Sequence, residues 1–470
     1  MSAFDQLWAQ CAAAFGQRRT AARARRLVLS QLTCLGRHTL TGVLCTAGRQ
    51  FADWSADYRL FERARIDEEL IFGVIQRAVE AELPAGRPLV MALDDSILRK
   101  KGRHVHGAGW RRDPLSPPFH VNFAWGQRVL QISAALPCGP GQARMIPVDF
   151  QHLPPAVKPP PKASPAAWAQ YRQQVRQRNL SVQAVQRLVQ VRERAPRARP
   201  VWTVVDGRFT NRTILQNRPA HTTVIGRIRK DAQLHARPAA DPRGRGRRRV
   251  YGQRLPTPDQ IRTNPAIPWQ AVTVWACGKF QTCHIKTLAP VRWRTAGPQD
   301  LRLVVIAPLG YRKTKHGRLQ YRNPAYLICT DPTIPLEQLL QAYLWRWDIE
   351  VNFRDEKTLL GVGQAQVRIP PAAQKVPATA VAAYSLLLLA AAHAYGPAGR
   401  PVDVPPPRWR TYPARQRAST AQLVNQLRFE LWGQAIDRQN FDGFSARKQT
   451  DQKPENLPFD VQSALAYATA

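Results

Sequence analysis

The chain has 470 residues with 69 Lys plus Arg against 32 Asp plus Glu, a formal charge of +37. A protein this basic repels itself and calls for a polyanionic partner, nucleic acid before anionic membrane, because its basic residues are spread along the chain rather than gathered on one amphipathic segment. Seven cysteines (11, 34, 45, 138, 277, 283 and 329) with irregular spacing and no Cys-x2-Cys pair argue against a disulfide framework and a zinc ribbon, and for a reducing compartment.

Residues 1–83 read as helical, and the opening Met-Ser-Ala-Phe-Asp-Gln has no charged and apolar leader pattern. A basic run from Arg18 to Arg26 continues into Leu27-Val28-Leu29-Ser30-Gln31-Leu32. A break at Gly36 then leads to Arg37-His38-Thr39-Leu40. Helix, glycine turn and second helix with a polar basic face fit a helix-turn-helix reader of DNA, and equally an ordinary helical hairpin.

Residues 87–95 (Arg-Pro-Leu-Val-Met-Ala-Leu-Asp-Asp) are too short for a helix and read as a buried strand ending in two acids. Val121–Trp125 and Val129–Leu136 flank Gly126-Gln127, the pattern of a hairpin. Prolines around 158–161 make a stiff linker, and 166–194 is one long Gln/Arg-rich helical stretch. Val201–Val205 is a second short apolar run, closed by Asp206-Gly207.

From 227 to 332 the pattern is mainly β, with short runs at 272–275, 282–288, 303–306 and 326–329. The run Arg243–Arg249 is glycine- and arginine-rich, the composition of a mobile phosphate-binding loop. Val376–Tyr395 is apolar but contains Pro377, Thr379, Ser385 and His393, which suits a buried core helix better than a membrane span. Beyond 398, prolines and polar residues dominate, with one helical stretch near 420–434 and a loosely ordered end.

The segment Tyr343–Lys357 (Tyr-Leu-Trp-Arg-Trp-Asp-Ile-Glu-Val-Asn-Phe-Arg-Asp-Glu-Lys) sorts its side chains by chemistry if read as one helix. At about 100° per residue, with Tyr343 at zero, Arg346 falls near −60°, Glu350 near −20°, Arg354 near +20° and Lys357 near −40°. One acid, a phenol and three cations thus share a narrow stripe, an arrangement suited to holding a metal beside a phosphate backbone. The plain alternative is an amphipathic core helix with an Arg346–Glu350 pair, worth only a few tenths of a kcal/mol.

The spacing Tyr343-x2-Arg346-x3-Glu350-x6-Lys357 resembles the Tyr-Arg-Glu-Lys signature of bacterial insertion-sequence transposases of the DDE class. Arg346-Trp347, Ile349-Glu350 and Leu359-Leu360-Gly361 extend the likeness. The resemblance implies that Tyr343, Arg346 and Lys357 grip phosphates of a transposon end, with Arg354 on the same stripe. It also implies a DNA-binding role for Lys100 and Lys101, which lie in the Lys100-Lys101-Gly102-Arg103-His104 run. Trp347, near +40°, is placed either to stack on an extruded base or to fill the core.

Phosphodiester chemistry of this class uses divalent cations, and oxygen-rich sites suit Mg²⁺ or Mn²⁺. Asp95, Asp206 and Glu350 are the candidate catalytic and metal-binding acids. Asp95 is preferred to Asp94 because the family's first acid is usually followed by Ser or Thr, here Ser96. Each acid also has a plain reading, Asp94 and Asp95 as caps and Asp206 as a turn residue. Zinc at His104 and His106 lacks a cysteine to complete it.

Strand, hairpin, helix, strand with an acid at each strand end, then Glu on a later helix, is the order of an α/β RNase H-like core. The expected organisation is a helical DNA-binding region (1–83), the first part of the core (84–226), a mainly β insertion (227–332), the glutamate helix with its packing helix (333–397) and a partly disordered, partly helical C-terminal region (398–470). The expected function is metal-dependent DNA cleavage at transposon ends and strand transfer into target DNA, by a homodimer in the cytoplasm near the nucleoid. The alternatives are an RNase H-like nuclease without strand transfer, or a non-catalytic DNA-binding protein.

Overall fold

A computed structural model describes residues 1–437 apart from 64, 114–115, 118, 240–248, 315 and 402–416. Most of the Arg243–Arg249 loop and the chain end after 437 therefore lie outside the described residues.

Five helices precede the first strand: α1 (Ser2–Gln10), α2 (Arg18–Thr33), α3 (Leu40–Thr46), α4 (Ser55–Glu62) and α5 (Glu68–Ala81). Their starts follow local chemistry. Thr39 caps α3 through Gly42 N–H, and Asp67 caps α5 through the N–H groups of Glu69 and Leu70. In the α2–α3 turn Arg37 is exposed and His38 is not. His38 in that turn is buried against Gly361, and its backbone N–H donates to Gln364.

Next come β1 (Leu89–Arg99), β2 (Gly109–Arg112), β3 (Phe123–Gly139) and β4 (Gln142–Leu153). The hairpin expected at Gly126-Gln127 is absent, because β3 runs straight through it and turns at Pro140-Gly141 instead. Gly126 serves close strand approach: a Cβ there would lie 2.4 Å from the Leu98 carbonyl oxygen. The single helix expected over 166–194 is two, α6 (Pro165–Gln177) and α7 (Leu180–Arg194), divided where Asn179 caps the second.

The chain continues through β5 (Val201–Val205), α8 (Arg212–Asn217), β6 (Thr222–Arg227), β7 (Leu234–His235), α9 (Pro258–Thr263), β8 (Gln270–Ala276), β9 (Lys279–Trp293), β10 (Leu301–Ile306), β11 (Gly310–Arg312), β12 (Leu319–Tyr321) and β13 (Ala325–Cys329). It closes with α10 (Leu336–Trp345), α11 (Asp348–Thr358), α12 (Pro370–Tyr395) and α13 (Thr420–Asp437).

The fold is mixed α/β around one large sheet, ordered β2-β3-β1-β5-β6-β13-β10-β9-β7, with β4 on β3 and β8 on β9. The strands β1, β5 and β6 are parallel neighbours, and β3 and β13 flank them antiparallel. The β-rich segment after 227 thus continues the same sheet, since Leu327 of β13 pairs with Arg227 of β6. Among the described residues, β11 and β12 alone form a separate ribbon.

Alternation along β1 divides the core. Leu89, Met91 and Leu93 pack with α5, α7 and α12, while Val90 and Ala92 pack with α10 and α11 on the other face. Helix α12 is apolar and long enough to cross a membrane by composition, yet it is buried nearly throughout from Ala378 to Ala391 as the central helix of the first cluster.

Candidate active site

The acids sit where the parallel pairing of β1 with β5 stops; β1 itself does not end at Asp94-Asp95 but continues to Arg99 along β3. In the β1–β5 register Leu93 pairs with Val205, so Asp94 and Asp206 are the next residues on neighbouring strands. Both continue the alternation of Val90, Ala92, Trp202 and Val204, and therefore face α11. Glu350 is in the first turn of α11, whose Ile349 and Phe353 pack into that same cluster. Arg346 ties the group together, its guanidinium 3.5 Å from Asp94 Oδ2 and 3.4 Å from Glu350 Oε1.

Electrostatics bear out the closeness. Burial pushes the Asp94 carboxyl up to about 7, and the neighbouring Asp206 charge adds to the rise while Arg346 opposes it. Glu350 is also raised, first by burial and then by Asp206, against the pull of Arg346. Asp206 spends Oδ1 on a turn, accepting from the N–H groups of Arg208 (2.9 Å) and Phe209 (3.1 Å). The turn reading and a role in the acid cluster are thus compatible.

Asp95 points to the opposite side of β1. It is paired with Arg128 Nε and Arg208 Nη1, each at 3.2 Å; burial raises its carboxyl, both arginines lower it, and the Asp206 charge raises it as it does that of Asp94. Strand alternation is the signal that separates the two acids: Asp94, not Asp95, shares a face with Asp206 and Glu350.

The stripe over 343–357 is not one helix. Between α10 and α11 the chain tightens into i→i−3 bonding, with Trp347 N–H to Leu344 O, Ile349 N–H to Arg346 O and Glu350 N–H to Trp347 O. A tighter turn rotates later residues about the axis relative to earlier ones, so the stripe divides. Tyr343 stays on α10, half-buried against the α10–α11 cluster. Arg346, Glu350 and Lys357 face β1, where Lys357 Nζ donates to Ser96 Oγ at 2.5 Å. Arg354 turns to solvent and pairs with Asp355 at 2.9 Å. Trp347 is 62% exposed at the break, outside the core.

Lys100 and Lys101 part company. Lys101 is exposed, whereas Lys100 is buried with Nζ donating to the carbonyls of Gly363 (2.7 Å) and Ala365 (2.8 Å). Burial lowers its ammonium to about 8. It pins the loop after α11 and presents no charge to a phosphate. Other residues around the acids carried no motif, notably Arg128, Arg208 and the Arg417 that grips Asp348; they come together only through the fold.

Oxygen donors within β1, just beyond β5 and on one helix are of the kind that suits a hard divalent cation. In the arrangement here Arg346 supplies the positive charge between Asp94 and Glu350. Among the described residues no three His, Cys, Asp or Glu side chains are drawn close enough to share an ion.

A family model described as DDE superfamily endonuclease matches residues 10–298 of the chain. The match includes Asp94, Asp95 and Asp206 and ends before Glu350. No curated protein matches it.

Proposed function

The chain belongs to the DDE superfamily endonuclease family, enzymes of the nuclease and transposase type that act on DNA, and on that footing we propose that it is a DNA transposase of the insertion-sequence kind. The observation that carries this reading is that Asp94, Asp206 and Glu350 face the same side of the sheet, with Arg346 between Asp94 and Glu350. The order β4-β3-β1-β5-β6, with three parallel central strands, supports an RNase H-like core.

Water attacks a phosphodiester at the transposon end and releases a 3′-hydroxyl; that hydroxyl then attacks a target phosphodiester in line, displacing the target's own 3′-oxygen. Asp94, Asp206 and Glu350 are the residues that would hold Mg²⁺ or Mn²⁺, which when bound stabilises charge on the attacking and leaving oxygens. Asp94 takes the place first considered for Asp95, because Asp95 faces away and is engaged by Arg128 and Arg208. Arg346 holds the two outer carboxylates in place and offers donors to the phosphate. Lys357 fixes Ser96 beside Asp94 and lies within the same basic lining. Trp347, exposed at the α10–α11 break, offers a face for a base displaced from the duplex. Arg354, Lys101 and Tyr343 extend the contact to the backbone, on double-stranded DNA held by a homodimer.

The test is cleavage of supercoiled plasmid bearing the element's own flanks, with Mg²⁺, Mn²⁺ or EDTA. Metal-dependent breaks confined to the ends, followed by joining to target, are expected. Scattered nicking would make the protein a nuclease without strand transfer, and binding without breaks would leave a DNA-binding scaffold. Asp206→Asn should abolish breaks and keep DNA affinity.

A further inference from the structure

The ribbon β11–β12 stands apart from the main sheet, and nothing in the acid cluster requires it. Its register is Gly310 to Tyr321, Tyr311 to Gln320 and Arg312 to Leu319. It is held in shape locally: Arg312 donates to the Gly317 carbonyl at 2.5 Å, Arg322 N–H bonds Leu309 O at 2.9 Å, and the Arg322 guanidinium lies 5.3 Å from the Tyr311 ring centroid. Arg312, Lys313, His316, Arg318 and Arg322 are all exposed, and the sequence from 310 to 322 contains no acid. Leu319 and Tyr321 are exposed as well, at 42% and 66%. A stiff two-stranded ribbon with cations and two bare apolar side chains has no core to build.

Its position follows from strand direction. It leaves between the end of β10 and the start of β13, and β13 runs antiparallel to β6 with Leu327 opposite Arg227. The start of β13 therefore lies at the same edge of the sheet as the ends of β5 and β6, where Asp206 stands. Between them is a cleft of about 990 Å³. Gly207 and Thr210 line it on the Asp206 side, Asn323 and Pro324 at the base of the ribbon, and Arg227 and Lys230 among its cations.

We infer that the ribbon enters the major groove of a duplex lying along this edge of the sheet, where Asp206 stands, an inference that rests on the reading of the acids as a DNA-cleaving site. A two-stranded β-ribbon fits the width of the major groove, whose floor presents the edges of successive base pairs and the thymine methyls. Arg312, Lys313, Arg318 and Arg322 match the flanking phosphates in charge, and Leu319 and Tyr321 are the side chains available for thymine methyls.

The experiment compares full-length protein with Lys313→Ala/Arg318→Ala and, separately, Leu319→Ser/Tyr321→Ser, on a fluorescent mixed-sequence duplex of several turns in EDTA, across a salt series. The charge variant should flatten the slope of log K against log[salt] by about two units. Methyl green, a major-groove ligand, should lower wild-type affinity toward that of the variants and leave the variants little changed; netropsin, a minor-groove ligand, should not. Unchanged melting temperatures certify the fold. Equal affinity and slope for wild type and both variants would overturn the ribbon inference and leave the cleavage reading standing. A wild type that binds no duplex at all would overturn both.

Discussion

Arg417 grips Asp348 through both carboxylate oxygens, at 2.5 and 3.0 Å, two residues before Glu350 on the same helix. It also donates to the Ala143 carbonyl, while Thr420 at the start of α13 donates to Asp355 at 2.6 Å. The C-terminal helix is thereby attached to both ends of the glutamate-bearing helix. Asp348 keeps the Met145 N–H as a further donor at 3.0 Å.

Arg417→Ala should therefore destabilise the fold by about 3 kcal/mol, since a largely buried carboxylate loses its partner. Arg417→Lys should recover part of this but not the two-point grip. Urea unfolding of the three proteins measures it. A loss within experimental scatter for Arg417→Ala would mean that α13 is not anchored here.

Arg346 is the cation that lies between Asp94 and Glu350. Its replacement by alanine should lower metal-dependent cleavage by about a hundredfold, the scale seen when one charge-stabilising donor is removed. Lysine, which reaches one carboxylate at a time, should restore little. Single-turnover cleavage with saturating DNA checks this, because a defect confined to affinity would vanish there.

The two lysines after β1 should behave differently. Lys100→Met removes two charge-assisted bonds to Gly363 and Ala365 and should cost about 3 kcal/mol of stability without altering the salt slope of DNA binding. Lys101→Ala should leave stability alone and flatten that slope by about one unit. The reverse pattern would show that Lys100 leaves its pocket for DNA.

Glu356 sets a pH dependence. Its carboxyl is fully buried and pushed up from 4.5 to about 8, chiefly by burial, with Gln131 and Lys357 opposing the rise and Asp355 adding to it. Its Oε1 has no hydrogen-bond partner among the described residues. The folded state binds this proton more tightly than the unfolded chain, so stability falls as pH rises from about 4.5 to 8 and the fall is complete above 8. Glu356→Gln should remove that component and be more stable than wild type at pH above 8. Parallel melting curves for the two proteins across that range would refute the assignment.

How far the residues alone lead can be judged from particular elements. Short apolar runs marked β5 and the buried first half of β1, because a fully buried parallel strand has a recognisable composition, but β1 runs on past its two acids to Arg99 as a partner of β3. The same approach misread Gly126, since a glycine that makes a turn and one that lets strands approach look alike in a sequence. Proline- and cap-free segments hid the break at Arg346-Trp347, whose backbone stays in the helical region while its bonding pattern changes. That Asp94 and Asp95 lie on opposite faces was within reach, because period-two alternation from Val90 onward already separates them. What the face of Asp94 met, α11 and not α12, depends on pairings across hundreds of residues. Lys100 looked like its neighbour because burial of a lysine is decided by distant carbonyls.

The attachment of Arg417 and Thr420 to α11 has a consequence for the order in which a growing chain matures. Synthesis proceeds from the N-terminus, and domains commonly begin to fold as they emerge. Asp94 and Asp206 can take their places on the sheet long before Glu350 is made. The helix of Glu350 can bond to Met145 and Ser96 as soon as it is made, but gains its Arg417 anchor when residue 417, lying 69 positions beyond Asp348, has left the ribosome. A ribosome-bound chain that has not reached α13 holds the helix of Glu350 without its Arg417 and Thr420 contacts, so that helix reaches its final attachment after the sheet beneath it.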